Sequence, residues 1–286
     1  MYEVEHILTL NNNLGESPQW NMEEKALYWI DLWPGRIYRY WPAKGTYEIF
    51  NVGIPIGALS FRASGGLILA TRDGFAFWDT KSGKLDFIVD PEANNKHTRF
   101  NDGKVDRKGR FWAGTMIEGS SEAAGSLYRL DPDGTVHTME TGIVLSNGIG
   151  WSPDDKTMYY NDTKKHVIYA YDFHSESGDI SNRRNFVQFS DDIDPDGLTV
   201  DREGYIWCAL CKDYKIVRYD PAGKVDREIR MPTPFTLSCI FGGDNLDELY
   251  VTTGWNVDKE KQAPFAGDLF RIQTDVKGLP EPKFAG

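Results

Sequence analysis

The sequence predicts an all-β protein, because three features recur along its 286 residues. Short runs of alternating aromatic and aliphatic residues predict strands, and polar turns rich in Gly separate them. One unit of turn and strand returns six times. No stretch of useful length has the apolar period of a helix.

The repeated unit is a polar turn followed by a strand rich in Trp, Tyr, Phe or Leu. Its copies follow one another at intervals of 41 to 49 residues and begin at Asn21, Arg62, Asp106, Ser152, Asp201 and Gly243. A second pattern follows each copy, as in GRIYRYWPAKG and YKIVRYDPAGK, and predicts an outer strand and a hairpin. A period of about 40 to 50 residues with several strands is typical of a propeller blade. The sequence therefore predicts a six-bladed β-propeller.

The chain shows no linker that would divide it, so residues 1–286 are expected to form a single propeller domain. The segment YEVEHILTL lies before the first full copy and predicts one further strand. This strand would complete the last blade and close the ring, which leaves no sheet edge open.

Composition and charge exclude several classes of partner. The net charge is −11 and no basic tract interrupts it, so neither nucleic acid nor an anionic membrane is expected as a partner. The amino-terminal segment does not resemble a signal peptide, and no stretch approaches the roughly 20 apolar residues of a membrane span. Three cysteines cannot form a full disulfide framework, which favours a cytoplasmic location. Cys208 and Cys211 form a C-x-x-C that is expected to fall within and just after an apolar strand, with no second pair to complete a zinc site. The protein is expected to be a monomer or weak homo-oligomer.

Polar residues recur about ten or eleven positions before the centre of each repeated strand. This position holds Glu16, Asn101, Asn147 and Asp196 in four of the six copies. Residues at equivalent positions of different blades lie at the same level along the channel axis. These four side chains should therefore surround one mouth of the central channel. Asn-Gly and Asp-Gly pairs alone usually indicate turns. Two carboxylates and two amide oxygens that converge on one axis, however, require a cation between them.

Oxygen ligands of this kind suit Ca²⁺, Mg²⁺ or Mn²⁺, and carboxylates also accept Zn²⁺. The five histidines are scattered, and none falls in this phase. Arg99 lies two residues before Asn101 and should face the same mouth. Its planar guanidinium is suited to hold the hydroxyls or a carboxylate of a substrate.

The segments that contain these residues resemble the SMP-30/gluconolactonase/regucalcin-like family over nearly the whole chain. The resemblance is carried by LGESPQW, RFNDGKVDRKGRFWAGTM, LSNGIGWSPDDKTMYYND, PDGLTVDREGYIWCAL and CIFGG followed by LYVTT. It implies a six-bladed propeller with a metal site at one mouth of the channel. The site would bind one divalent ion (Ca²⁺, Zn²⁺, Mn²⁺, Mg²⁺ or Fe²⁺) through Glu16, Asn147 and Asp196.

The resemblance also implies a substrate and its contacts. The substrate would be a sugar lactone, an aldonolactone such as a glucono- or pentonolactone, contacted by Arg99 and Asn101. The family has a further acidic residue after the GTM segment, and Glu118 is the nearest acid in this chain, one position earlier than the family pattern.

Lactone hydrolysis needs a polarised carbonyl, an activated water and a stabilised oxyanion. A cation with three protein ligands keeps positions open for the carbonyl oxygen and for a water that it activates. Asp196 is the expected catalytic residue, since one of its oxygens can bind the cation while the other accepts a proton. No constellation of Ser, Cys and His suggests a covalent intermediate, so direct attack by water is expected.

Other functions are compatible with the same sequence. A related metal propeller could hydrolyse phosphotriesters, which would favour a broader apolar pocket and give Arg99 little use. The chain could instead be a calcium-binding or regulatory protein, or an interaction platform, as many propellers are. Carboxylates at one channel mouth argue against a purely peptide-binding propeller.

Overall fold

The computed structural model describes residues 2–255 and 263–286. Within those residues the chain forms twenty-four β-strands and one short 3-10 helix at Thr163–Lys165. The strands pair into six antiparallel sheets of four strands each, which confirms the six-bladed propeller. No helix in the described part of the chain is long and apolar enough to cross a membrane.

Each blade is a meander, and the first strands of neighbouring blades contact one another around the channel. The chain begins with β1 (Val4–Leu8), which belongs to the last blade. Blade I contains β2 (Gly15–Asn21), β3 (Ala26–Asp31), β4 (Arg36–Trp41) and β5 (Thr46–Asn51). Blade II contains β6 (Ile56–Phe61), β7 (Leu67–Thr71), β8 (Gly74–Trp78) and β9 (Leu85–Val89). Blade III contains β10 (Thr98–Val105), β11 (Phe111–Ile117), β12 (Gly125–Leu130) and β13 (Val136–Ile143).

The second half of the ring repeats this order. Blade IV contains β14 (Ser146–Trp151), β15 (Thr157–Asp162), β16 (Val167–His174) and β17 (Asp179–Gln188). Blade V contains β18 (Asp194–Val200), β19 (Ile206–Cys211), β20 (Lys215–Tyr219) and β21 (Val225–Arg230). Blade VI contains β22 (Thr236–Gly242), β23 (Glu248–Thr253), β24 (Leu269–Gln273) and β1.

The amino-terminal strand closes the ring. β1 pairs antiparallel with β24, and Val4 lies opposite Ile272 while His6 lies opposite Phe270. Blade VI therefore takes three strands from the end of the chain and its outermost strand from the beginning. The sequence-based prediction for YEVEHILTL is confirmed.

The second repeated pattern forms the third strand of each blade, so its interpretation as the outer strand was wrong. The outermost strands alternate weakly in hydrophobicity because they are largely exposed, as in β21 with the sequence VDREIR. An exposed strand has no buried face to impose a regular apolar alternation.

An aspartate organises the turn in two copies of the repeated unit, DREGYIW and DRKGRFW. In the first, Asp201 accepts hydrogen bonds from the backbone N–H groups of Glu203 (2.9 Å) and Tyr205 (3.0 Å) through one carboxylate oxygen. Its other oxygen accepts from the indole of Trp207 (2.9 Å) and from Arg218 (2.7 Å). Asp106 makes the corresponding contacts with Lys108, Arg110 and Trp112. In these two copies a buried carboxylate thus joins the turn to the strand after it.

The carboxy-terminal segment, residues 277–286, crosses the end of the channel opposite to Glu16. The sequence gives no pattern from which this course was predicted. Backbone hydrogen bonds tie the segment to blades V, VI, II and III, through Arg202 N–H to Lys277 O (2.8 Å), Gly278 N–H to Leu246 O (2.7 Å), Phe284 N–H to Phe61 O (2.8 Å) and Ala285 N–H to Gly109 O (3.0 Å). Lys104 of β10 pairs with Glu281 at 3.3 Å, and both side chains are largely shielded from solvent.

We expect Asp201→Ala to lower the free energy of unfolding by about 3–5 kcal/mol, because it removes the one fully buried carboxylate of the three that pair with Arg218 and leaves the Trp207 indole and two turn N–H groups without an acceptor. Urea denaturation followed by tryptophan fluorescence measures this loss. Asp244→Ala is the control, since its ion pair with Lys25 is largely exposed and should contribute less than about 1 kcal/mol. Equal losses in the two variants would contradict the role assigned to Asp201.

Candidate functional site

A bulge interrupts the inner strand of every blade close to its first residue. A bulge adds an unpaired residue and redirects the side chains beside it. The six register shifts fall at Glu16–Gln19, Ile56–Ala58, Phe100–Asp102, Asn147–Ile149, Pro195–Leu198 and Thr236–Ser238. Since they occupy the same phase in each blade, the bulges form one layer at the mouth of the channel. The residues predicted from that phase all lie in this layer or beside it.

Arg99, Asn101 and Asn147 are joined by direct hydrogen bonds. The guanidinium of Arg99 donates from one terminal nitrogen to the side-chain oxygen of Asn101 (2.7 Å) and to the carbonyl of Phe100 (3.0 Å). Asn101 Nδ2 donates to Asn147 Oδ1 (2.9 Å) and to the carbonyl of Ser146 (2.8 Å). All three side chains are buried. The structure thus brings together three predicted site residues from blades III and IV.

Glu16 and Asp196 supply two buried carboxylates to the same mouth. Burial, together with repulsion from Asp196 and Asp102, raises the pKa of Glu16 well above its ordinary value. Burial, together with repulsion from Asp102 and Asp194, does the same to the pKa of Asp196. The nearby charge of Arg99 opposes the shift of Glu16 but is the weakest of the contributions. The protein's own side chains therefore do not stabilise both carboxyl groups in their charged form.

The residues present fit a divalent cation. Asp196 Oδ1 is buried and has no hydrogen-bond partner among the residues that the structure describes. Carboxylate and amide oxygens from Glu16, Asn147 and Asp196 are hard donors, which divalent cations such as Ca²⁺ and Mn²⁺ accept. No group of three or more His, Cys, Asp or Glu in residues 2–255 and 263–286 forms an alternative cluster, so a cation here would need the amide oxygen.

Glu118 lies at the rim, outside this hydrogen-bonded group. It follows β11 directly, and its side chain is 38% exposed and pairs with Arg72 at 3.4 Å. Its charge nevertheless reaches Arg99, where it partly opposes the effect of burial, which lowers the pKa of the guanidinium to about 10. The structure therefore places Glu118 near the mouth but gives it no direct contact with Arg99 or Asn101.

Sequence reasoning missed three residues at the mouth. Trp33 packs its ring against the guanidinium of Arg99, with 4.9 Å between the ring centre and the guanidinium carbon. Asp102 is buried beneath the bulge layer, and burial raises its pKa to about 6. Thr163 accepts a hydrogen bond from Asn147. Asp102 follows Asn101 in the NDG motif and could have been found there, whereas Trp33 and Thr163 lie outside the repeated phase.

The glycines of the Asn147-Gly148 and Asp196-Gly197 pairs lie within strands and do not form turns. A Cβ on Gly148 would lie 2.6 Å from the backbone oxygen of Asp196, and one on Gly197 would lie 2.1 Å from Ser238 Oγ. Glycine at these positions lets neighbouring inner strands approach closely. The turn interpretation of these pairs was therefore wrong, and the physical reason is inter-blade packing.

Cys208 lies within a strand, as predicted, whereas Cys211, which was predicted just after that strand, is its last residue. Both lie in β19, and both are buried and free. Burial raises the pKa of each thiol well above its ordinary value, which keeps the thiols protonated and makes them poor nucleophiles or metal ligands.

The fold and the site together define a class of protein: a closed six-bladed propeller with buried acidic, amide and guanidinium groups at one channel mouth. The SMP-30/Gluconolactonase/LRE-like region matches residues 14–254, and the chain belongs to this family. The match spans all six inner strands and therefore the whole bulge layer.

Similar proteins include enzymes and a calcium-binding protein. The chain is 36% identical to the pentonolactonase XacC of Haloferax volcanii, with 97% of each chain covered. It is 34% identical to a 6-deoxy-6-sulfogluconolactonase of Pseudomonas putida, with 96% of this chain and 95% of the relative covered. The crystal structure of a calcium-binding protein, regucalcin, from Agrobacterium tumefaciens superposes with a TM-score of 0.94 at 25% identity, covering 99% of this chain and 97% of that one.

We expect Gly148→Ala to disturb the mouth, because the added methyl group meets the Asp196 carbonyl and the Asn161 side chain, each 2.6 Å from its Cβ. The free energy of unfolding should fall by about 1–3 kcal/mol, the usual cost of overpacking a close contact. Thermal and urea denaturation measure the change. Unchanged stability would show that the inner strands of blades IV and V can separate without cost.

Proposed function

We propose that this chain is a divalent-cation-dependent hydrolase that opens sugar lactones, aldonolactones in particular, to the sugar acids. The observation that carries the proposal is the meeting of two buried carboxylates, Glu16 and Asp196, with the Asn147 amide beside the buried Arg99. The oxygens of Glu16, Asp196 and Asn147 suit a hard cation. The guanidinium of Arg99 suits a polyhydroxylated substrate. Two relatives named as sugar lactonases support the same reaction class.

Glu16, Asn147 and Asp196 are the residues that would hold the cation. Bound there, a divalent cation would supply Lewis acidity toward the lactone carbonyl and lower the pKa of a water. Asp196 has two carboxylate oxygens, so one could bind the cation while the other accepts the proton of the attacking water. Burial of the carboxylates strengthens these electrostatic effects, since little bulk water screens them.

Arg99 and Asn101 have complementary capacities left for a substrate. Both amide hydrogens of Asn101 are already donated, to Ser146 and Asn147, so this residue can only accept a further hydrogen bond. Arg99 can only donate, and its Nε is buried with no partner among the described residues. A sugar hydroxyl both accepts and donates, so a single hydroxyl could bridge the two side chains.

Glu118 would contact the part of the substrate that extends to the rim. Its carboxylate would have to exchange its ion pair with Arg72 for hydroxyl groups of the sugar. Because that pair is partly exposed, the exchange should cost little. Differences at this position are therefore suited to change the preference for one sugar over another.

Calcium binding without catalysis is the second candidate function. The description of the regucalcin structure as a calcium-binding protein favours it, and so does the oxygen-only donor set. Phosphotriester hydrolysis is less well supported, since a neutral ester without hydroxyls would offer no group that can accept from Arg99 and donate to Asn101 at the same time. Measurements of activity and of cation binding on the same preparation separate these functions.

We expect the purified protein to bind one divalent cation per chain and to hydrolyse glucono- and pentonolactones, with activity lost in chelator. Acid release reported by a pH indicator measures hydrolysis, and calorimetry with Mn²⁺ or Ca²⁺ measures binding. Because burial and repulsion raise the pKa values of Glu16 and Asp196, protons compete with the cation, and affinity should weaken as pH falls. Stoichiometric binding with no hydrolysis of any lactone would favour the calcium-binding role, and hydrolysis that persists in chelator would overturn the cation dependence.

We expect Asp196→Asn to lower kcat roughly 10²–10⁴-fold even when the cation is saturating, because an amide retains an oxygen ligand but cannot accept the proton. The measurement is kcat as a function of cation concentration for wild type and variant. Asp194→Asn is the control, since Asp194 pairs with Lys164 and Lys212 and has no assigned role in proton transfer. Recovery of most of the rate at high cation concentration would remove Asp196 from proton transfer and leave it as a ligand only.

A further inference from the structure

Four hydrogen bonds form one chain across blades III, IV and V at the mouth. Arg99 donates to Asn101 Oδ1 (2.7 Å), and Asn101 Nδ2 donates to Asn147 Oδ1 (2.9 Å). Asn147 Nδ2 donates to Thr163 Oγ1 (2.8 Å), and Thr163 donates to the carbonyl of Pro195 (2.6 Å). This series of hydrogen bonds thus begins at Arg99, a predicted substrate contact, and ends at Pro195, one residue before Asp196.

The direction of this chain is fixed at both ends. A guanidinium can only donate and a backbone carbonyl can only accept. Since Thr163 has a single hydroxyl hydrogen and gives it to Pro195, its oxygen can only accept from Asn147. The amide nitrogen of Asn147 must therefore face Thr163, and its oxygen must face the channel. If the amide were reversed, two oxygens would face each other at Thr163, and two NH₂ groups would face each other at Asn101.

We infer that Thr163 is a positioning residue for the cation site, a conclusion that rests on the proposed function. Its hydroxyl selects the amide orientation in which Asn147 presents an oxygen, and not a nitrogen, to the cation. Thr163 is buried and begins the 3-10 helix Thr163–Lys165, directly after β15. Groups that orient metal ligands typically change metal affinity 10–100-fold when they are removed.

The same chain links the two parts of the mouth. Asn101 accepts from Arg99 only when its oxygen faces the guanidinium, which directs its NH₂ group to Asn147. The orientation of a predicted substrate contact and that of a predicted cation ligand are therefore set together. A change at Thr163 should therefore alter the orientation of the Asn101 amide, although no direct hydrogen bond joins these two side chains.

The test compares Thr163→Val with Thr163→Ser. Valine keeps the shape but removes both hydrogen bonds, whereas serine keeps the hydroxyl. Thr71→Val is the matched control, because Thr71 is also buried and its hydroxyl also donates to a carbonyl (Gly74, 2.7 Å) and accepts from an N–H (Asp73, 3.1 Å), but it contacts no predicted ligand. Calorimetric titration of the metal-free proteins with Mn²⁺ alone measures affinity without reference to activity.

Thr163→Val should bind Mn²⁺ about 10–100-fold more weakly than wild type, while Thr163→Ser and Thr71→Val stay within about threefold. Equal affinities for Thr163→Val and Thr71→Val would overturn the inference. So would equal weakening in Thr163→Val and Thr163→Ser, which would indicate a packing defect and no role for the hydroxyl.

A second measurement keeps the inference separate from the proposed function. If wild type bound no cation, the cation site would fail, but the hydrogen-bond chain would still be testable in the metal-free protein. Urea unfolding of Thr163→Val, Asn101→Ala and the double variant forms a thermodynamic cycle. Non-additive losses of stability would support coupling through Asn147, and additive losses would overturn it.

Discussion

The pairing of β1 with β24 is the constraint on which the rest of the structure depends. It joins residues from the two ends of the chain within one blade, so the ring of six sheets is held closed. Closure fixes the angle between blades, and that angle decides which inner-strand side chains meet on the axis. The mouth is therefore a property of the whole ring, and no single blade could form it.

Closure also forces together groups that would otherwise separate. Glu16 is supplied by blade I and Asp196 by blade V, and each lies in a bulge that turns it toward the axis. Two carboxylates in a buried position destabilise the folded state unless a counter-charge is provided. Packing between the blades holds the two carboxylates at the mouth despite this destabilisation. The close approach of neighbouring inner strands at Gly148 and Gly197 illustrates that packing. Buried carboxyl groups with strongly shifted pKa values are characteristic of functional sites.

The fold could be predicted from the sequence because each blade repeats a polar turn followed by an apolar strand. Asp106 and Asp201 occupy equal positions in their repeats for the same reason, a buried carboxylate that caps a turn and binds an indole. Glu16 and Asp196 could be found because they occupy the same position relative to the repeated strand of their blades. Thr163 could not, since its importance lies in a contact between elements that only the closed ring brings together. The course of the carboxy-terminal segment escaped prediction for a similar reason: backbone hydrogen bonds to four blades and the burial of Phe284 fix it, and neither belongs to the repeated pattern.

That carboxy-terminal segment has a consequence for the passage of molecules. Because residues 277–286 run across the far end, a lactone that reaches the bulge layer and the acid formed from it would use the same opening. The carboxylates of Glu16 and Asp196 would be balanced by the cation proposed between them, so the positive charge of Arg99 would face the product. Departure of the acid would then depend on its exchange for water or for a new substrate molecule at that one opening.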